Sequence, residues 1–343
     1  MTGAPTPLVL RKPYLLFLGD VDDLVTAKTA CGLRDWARDD VIGQWRTDPA
    51  AVDLGLPELT PTEAAARGAG SVIVGAAPAG GRLPDHWVRA LAAAAACGLD
   101  VISGLHTRLS DSAELASAAA LAGVRLHDIR TPPPNLPVAT GRRRSGRRLL
   151  TCGADSALGK KYAALAIARE MARQGWPHDF RATGQTGIMI AGGGMPLDCV
   201  IADFVAGAAE VLSPDAAPDH WDIIEGQGAL SHPAYAGVTL GLIHGSQPDA
   251  IVYCHSLTRR EIDGWPGYPL PEPAAGIAAN LAAARLTNPG VRLAGVAVNT
   301  SHLSEADARA ALDRLATDLG APAIDALRFG AASIVDTLSD WRT

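Results

Sequence analysis

The sequence predicts an α/β protein built of two doubly wound parts, and three observations carry that prediction. Continuous apolar runs ending in Gly or Asp alternate with helical stretches over residues 14–122, the pattern of strands buried on both faces of a parallel sheet. Residues 149–170, LLTCGADSALGKKYAALAIARE, read as strand, glycine loop, lysine and helix. Between the two regions lies TPPPNLPVATGRRRSGRRL (131–149), where proline favours extended chain and the arginines are expected to stay in water. A chain of 343 residues is long for a single core, so two domains are expected.

In order, residues 1–13 with Pro5, Pro7 and Pro13 read as a loose start, YLLFLGDV (14–21) as the first strand, and Val25 to Trp36 as a helix. VIGQWR (41–46), SVIVGA (71–76) and DVISG (100–104) repeat the strand signal, with helices expected at 61–68, 84–97 and 111–122. This alternation defines a Rossmann-like doubly wound domain at 1–135, where ligands sit beyond the carboxyl ends of the strands. The loop residues there are Asp20, Asp22, Asp23 and Lys28, then Pro78 to Arg82, then Gly104 to His106. Helix capping accounts for the aspartates as well as ligand binding does. A plain Gly-Gly turn accounts for GAAPAGGR (75–82) as well as an anion site. Residues 136–148 are read as a linker, and their arginines as a solvated charge run rather than a phosphate clamp.

The second domain, 149–343, is expected to be a P-loop NTPase-like α/β domain. Glycines in such a loop let backbone N–H groups point at an anion, the helix adds its positive end, and the lysine supplies a charge. The candidate cradle is Gly153, Ala154, Asp155, Ser156, Ala157, Leu158, Gly159, Lys160, Lys161 and Tyr162. It is a variant: five residues separate its glycines where the common pattern has four, and Lys161 stands where a hydroxyl usually ligates Mg²⁺. The helix is expected to end near Gln174, before Gly175 and Pro177.

This loop resembles GTDxxVGKT, the phosphate loop of dethiobiotin synthetase and its relatives, which also carries five residues between its glycines. WDIIEGQGAL (221–230) is similar to that group's strand ending in EGAGG, and LAGVAVNT (293–300) to the strand whose asparagine reads adenine. The resemblance implies that Asn299 contacts the base. It also implies that Arg181 takes the place of a lysine facing the phosphoryl region. A second resemblance covers nearly the whole chain through LLFLGDVDDLVTAKTACGL, GAAPAGGRLP, VISGLH, HDIRTPP, TGQTGIMIAGGG, IADFVAGAAE and EGQGALSHPAYAGVTLGLIHGSQPDA. It is to the bacterial family that includes D-glutamate N-acetyltransferase, often described only as a domain of unknown function.

Around the loop, Lys160, Lys161, Arg181, Glu225 and His232 are the expected catalytic groups. Because the usual hydroxyl is missing, Asp155 and Glu225, with Asp203 on the helix LDCVIADFVAGAAEVL, are the expected oxygen donors to Mg²⁺. Thr183, Gln185, Thr186, His244 and Arg259 are the expected substrate contacts, and Gly192-Gly193-Gly194 is read as a close approach to ligand. His232 and His244 serve equally as a base or as structural histidines. Three functions follow, of which the first is preferred because its parts are visible in the sequence. The first is an ATP- and Mg²⁺-dependent ligase that makes an acyl phosphate and joins it to the amine of an amino-acid-like substrate. The second, implied by the family, is transfer from acetyl-CoA to D-glutamate or a similar amino acid. The third is a nucleotide-gated binding protein.

Composition excludes other classes. Net charge of −6 gives no reason to expect nucleic acid or an anionic membrane as partner. The five cysteines form no CxxC pair, against a zinc site or a disulfide framework. No apolar run approaches the roughly 20 residues of a membrane span, so a cytoplasmic homo-oligomer acting on a small molecule is the expectation.

Overall fold

The computed structural model describes residues 8–24, 26–78, 81–339 and 341. Expectations for residues 1–7, for a helix start at Val25 and for Ala79–Gly80 lie outside the described residues. The chain forms two compact units, one of residues 1–132 with 185–199, the other of 133–184 with 200–343.

The first unit is a five-stranded parallel sheet. Its strands are β1 (Tyr14–Gly19), β2 (Val41–Arg46), β3 (Ser71–Val74), β4 (Asp100–Ser103) and β5 (Leu126–Asp128), in the order β2-β1-β3-β4-β5. Every residue of β1, β3 and β4 is buried, which is why these strands lack polar alternation. Its helices are α1 (Lys28–Trp36), α2 (Pro61–Ala66), α3 (Asp85–Ala96) and α4 (Ala113–Ala122). Thr60 and Glu63 form a reciprocal capping box on α2. Trp87 of α3 anchors one face, edge-on to Phe17 at 5.2 Å. Its indole N–H donates to Asp20 at 2.7 Å, and Asp23 accepts from the Thr26 amide at 2.8 Å. Both aspartates therefore hold their own loop.

A fifth helix, α6 (Gln185–Ala191), belongs to this unit. It packs on α1, with the Thr186 and Thr29 hydroxyls 3.4 Å apart. The glycine run after it receives the N-terminal segment: a Cβ on Gly193 would lie 2.5 Å from the Leu8 carbonyl oxygen. Its reason is a backbone crossing within the fold.

The second unit is a six-stranded parallel sheet. Its strands are β6 (Arg147–Gly153), β7 (His178–Arg181), β8 (Trp221–Ile224), β9 (Ala250–His255), β10 (Arg292–Val298) and β11 (Ala323–Ile324), in the order β11-β10-β9-β6-β8-β7. The helices are α5 (Lys160–Arg173), α7 (Ala202–Leu212), α8 (Ala236–Ser246), α9 (Pro273–Arg285), α10 (Glu305–Leu319) and α11 (Ala332–Ser339). Strand β6 lies between β8 and β9, where the winding reverses, so its carboxyl end opens at the topological switch point. The helix expected over 197–212 is broken: Leu197–Cys199 form a single 3-10 turn, and α7 starts at Ala202.

The arginine run is only partly solvated: Arg142 and Arg143 are exposed, whereas Arg144 and Arg148 are not. Arg144 is 5% and Arg148 0% exposed. Arg144 donates to the carbonyls of Ser213, Gly245 and Ser246 at 2.7, 2.7 and 3.2 Å, tying together the last turns of α7 and α8. Helix C-termini leave carbonyls without partners and carry partial negative charge, so a guanidinium there satisfies both needs.

Candidate functional site

Strand β6 delivers the glycine loop. The Ala154 amide donates to the Cys254 carbonyl at 3.0 Å, so the loop leaves the sheet only at Asp155. Gly159 closes it with φ +86°, a left-handed conformation that suits glycine, and α5 starts at the next residue. Lys160 is 4% exposed, and its ammonium donates to the loop's own Asp155 and Ser156 carbonyls at 2.6 and 2.9 Å. Burial pushes its pKa down. The lysine thus holds the cradle in shape. Lys161 and Tyr162 begin the helix beside it, the ammonium 4.6 Å from the Tyr162 ring centre.

Glu225 follows β8 and is 4% exposed. One of its carboxylate oxygens accepts from the amides of Thr183 and Gly184 at 3.0 and 3.1 Å. The Thr183 hydroxyl donates to the Glu225 carbonyl at 2.7 Å. Burial raises the acid's pKa against those amides and the charges of Lys161 and Lys160, which lower it. A carboxylate so placed is a stronger base than an exposed one. The next residue has to be glycine: a Cβ on Gly226 would lie 1.7 Å from the Thr151 carbonyl oxygen and 2.9 Å from Cδ of Lys160. This is the physical content of the EGQG sequence.

Asp155 is 1% exposed. One oxygen accepts from the Ser156 amide at 2.5 Å, the other from Nη1 of Arg259 at 3.1 Å and the Asp263 amide at 2.9 Å. His232 lies close, its Nε2 3.8 Å from Asp155. The ring is fixed because Nδ1 accepts from the amides of Ala234 and Tyr235 at 3.1 and 3.2 Å. Trp265 stands edge-on to it at 4.5 Å and Tyr235 is tilted over it at 4.4 Å. Ser231 donates to the Ala154 carbonyl at 2.8 Å.

Beside the loop opens a cavity of about 460 Å³, bordered by Leu158, Gly159, Tyr162, Arg259, Asn299 and Asp325 among others. Asn299 is exposed at its rim after β10, and its side-chain oxygen accepts from the Ser301 amide at 2.8 Å.

Several expected site residues stand elsewhere. Arg181 turns along the sheet face, with Nε on Asp222 at 2.7 Å and Nη2 on Asp179 at 2.9 Å. Those acids lie side by side in the β7–β8 register, so its charge is neutralised there and not at the loop. Gln185 and Thr186 are the first residues of α6, directly after the Gly184 whose amide meets Glu225. His244 sits in the last turn of α8. Eight residues from that helix's start, at 1.5 Å each, put it roughly 12 Å along a helix leading away from Glu225. His232 cannot take a proton at Nδ1 without giving up two backbone donors, which disqualifies it as the free base. The three supposed Mg²⁺ ligands are not gathered. Asp155 is held by protein donors, Glu225 by two amides, and Asp203 is exposed in the first turn of α7. Among the described residues the group that does converge is Asp179, His220 and Asp222, and Arg181 already occupies its centre of charge. Asp155, Asp203 and Glu225 form no such group among the described residues.

Asp263, Trp265, Gln227 and Asp325 escape the sequence reading. Only the Gly, Pro and aromatic density of DGWPGYP (263–269) hints at the first two.

A six-stranded parallel sheet with a glycine loop and buried lysine at its switch point defines a P-loop α/β protein, here joined to a Rossmann-like unit. Family models described as the DUF1611_C P-loop domain and the DUF1611_N Rossmann-like domain, both domains of unknown function, match residues 137–335 and 43–132. The chain belongs to the DUF1611 family. It is 45% identical over 331 residues to a D-glutamate N-acetyltransferase of Tritonibacter scottomollicae, covering 96% of this chain and 99% of that one. A protein of the same name from Pseudoalteromonas sp. is 45% identical over 329 residues, with 96% and 99% covered. The crystal structure of a DUF1611 protein from Anabaena variabilis superposes with a TM-score of 0.84 at 31% identity, covering 96% and 99% of the two chains. The two relatives from Tritonibacter and Pseudoalteromonas carry the name of an enzyme, and the chain is an enzyme. No helix among the described residues is long and apolar enough to cross a membrane.

Proposed function

We propose that this protein acylates the amine of a small amino acid, with acetyl-CoA as donor and D-glutamate as acceptor, and that its glycine loop holds the donor's phosphates. The observation that carries the choice of donor is the state of Asp155: its oxygens accept from the Ser156 and Asp263 amides and from Arg259, and Lys161 replaces the hydroxyl that would ligate a metal. A diphosphate held by Lys160, Lys161 and Arg259 needs no metal ligand. The names of the two curated relatives support the acyl group and the acceptor.

When bound, acetyl-CoA supplies the thioester carbonyl carbon that the amine attacks, and the C–S bond breaks to release CoA. Glu225 takes the proton from the substrate ammonium, a role for which its raised pKa suits it. The charge of Lys161 acts on that carboxylate and favours its ionised form. The cavity of about 460 Å³ lies within the range of small-molecule sites, and Asn299 at its rim, its oxygen on the Ser301 amide, offers its NH₂ to a base edge.

Incubation of the full chain with acetyl-CoA and D-glutamate should release free CoA and form N-acetyl-D-glutamate, read by thiol titration and mass spectrometry. The five-residue spacing of the loop favours a second reading, ATP-dependent ligation. ADP formed only when ATP, Mg²⁺, an acid and an amine are all present, with no CoA released from acetyl-CoA, would replace the first reading by the second.

A further inference from the structure

We infer that Asp155 is a positioning residue for Arg259: it seats the strap of residues 256–270 against the phosphate loop and so aims the arginine at the ligand's phosphates. The inference rests on the phosphate-holding reading of the loop and extends it to a group that the loop does not contain.

The strap has its own foundation. His255 bridges its two ends, Nδ1 at 2.7 Å from the Ser256 carbonyl and Nε2 at 2.9 Å from the Pro271 carbonyl. Between them Arg260–Leu270 fold as a small antiparallel hairpin, in which the Ile262 amide donates to the Tyr268 carbonyl and the Leu270 amide to the Arg260 carbonyl at 2.9 and 2.8 Å. Ile262 and Leu270 are buried. This piece thus has contacts of its own besides those to Asp155. What Asp155 adds is registration, since its one oxygen accepts both the Arg259 guanidinium and the Asp263 amide.

The guanidinium is only partly covered, 32% exposed, and it borders the cavity together with Ala157, Leu158 and Gly159. One edge of the planar fork is thus on Asp155, while its other strand-side contact, to Asp263, is long at 3.9 Å. Arginine carries five donors in a fixed plane, so the remaining ones serve a phosphate without a change of rotamer. A carboxylate placed to touch the phosphates directly would repel them. Held behind an arginine, it orients the positive group instead.

The test follows from that sign. ADP and CoA, which share a diphosphate, are titrated calorimetrically into the wild-type chain, Asp155→Asn, Arg259→Gln, the double variant and Lys160→Ala. Arg259→Gln should weaken both probes about tenfold, the scale of one charge-assisted contact. Asp155→Asn should weaken them by a similar factor, and the double variant no further, because the first residue works through the second. Hydrogen exchange at 256–266 should rise in Asp155→Asn and not in Lys160→Ala. Unchanged or tighter binding by Asp155→Asn, while Lys160→Ala abolishes binding, overturns the inference alone. So does additive weakening in the double variant. A wild-type chain that binds neither probe removes the phosphate-holding reading itself. Should Asp155→Asn fail to fold, Arg259→Lys decides: binding as weak as Arg259→Gln supports a fork that spans two anions, and wild-type binding refutes it.

Discussion

Replacing Glu225 by glutamine separates proton transfer from scaffolding. The carboxylate is 4% exposed, and one oxygen takes the amides of Thr183 and Gly184 at 3.0 and 3.1 Å. A glutamine carbonyl accepts the same two bonds, so the loop entering from β7 keeps its place. A positioned general base contributes about 10²–10⁴ in rate, equivalent to roughly 3–5 kcal/mol of barrier. Glu225→Gln should therefore lose about that factor in kcat, with KM for the amino acid changed less than about threefold. The pH dependence has a definite sign. Burial raises the pKa of Glu225, so the base form disappears as pH falls through a value above the ordinary glutamate range. The acid limb of wild-type kcat/KM should sit there, and the variant should lack it. Stability follows the same shift. A raised native pKa leaves no cost below the ordinary pKa and a growing one as pH rises through the raised value. Glu225→Gln should gain in Tm relative to wild type as pH rises from the ordinary glutamate range through the raised value. Steady-state CoA release and thermal melts measure both. A variant that keeps more than about a third of wild-type turnover with its acid limb intact would refute the reasoning.

Three further outcomes are expected. Gly226→Ala places a methyl 1.7 Å from the Thr151 carbonyl oxygen, where strand backbone cannot yield. It should lose about 3 kcal/mol or more in urea unfolding. Arg144→Met strands the carbonyls of Ser213, Gly245 and Ser246 and should cost about 3–5 kcal/mol in the same assay. Cys152 and Cys254 are buried, and their thiols are pushed up to about 12 by that burial. Iodoacetamide on the native protein should label the partly exposed Cys31, Cys97 and Cys199 and spare these two, as peptide mass mapping will read.

Much of this was legible because it follows from local pattern. Tyr14–Gly19, Val41–Arg46, Ser71–Val74 and Asp100–Ser103 are strands where unbroken apolar runs end in turn residues, and the lysine at 160 opens a helix where the glycines predict one. The arginines misled because charge was read without partners: nothing local announces that Arg144 meets two helix ends more than sixty residues away. Arg181 misled for the complementary reason. Its neighbour Asp222 comes from a strand aligned by sheet register, which local sequence does not specify. Asp155 shares a motif position with a presumed metal ligand, yet its partners arrive from 259 and 263. The loop was visible in the chain, and the company it keeps was not.

The placement of α6 has a consequence for how such a chain can be divided or spliced. The polypeptide passes from one unit to the other at 132, at 184 and again at 199, so no single cut yields two intact halves. A C-terminal fragment begun at 133 would carry α6 away from its seat and leave Ile188, Met189 and Ile190, buried in the whole protein, facing water. An N-terminal fragment ended there would lack the helix that packs on α1. Splitting the chain between the two segments is thereby penalised.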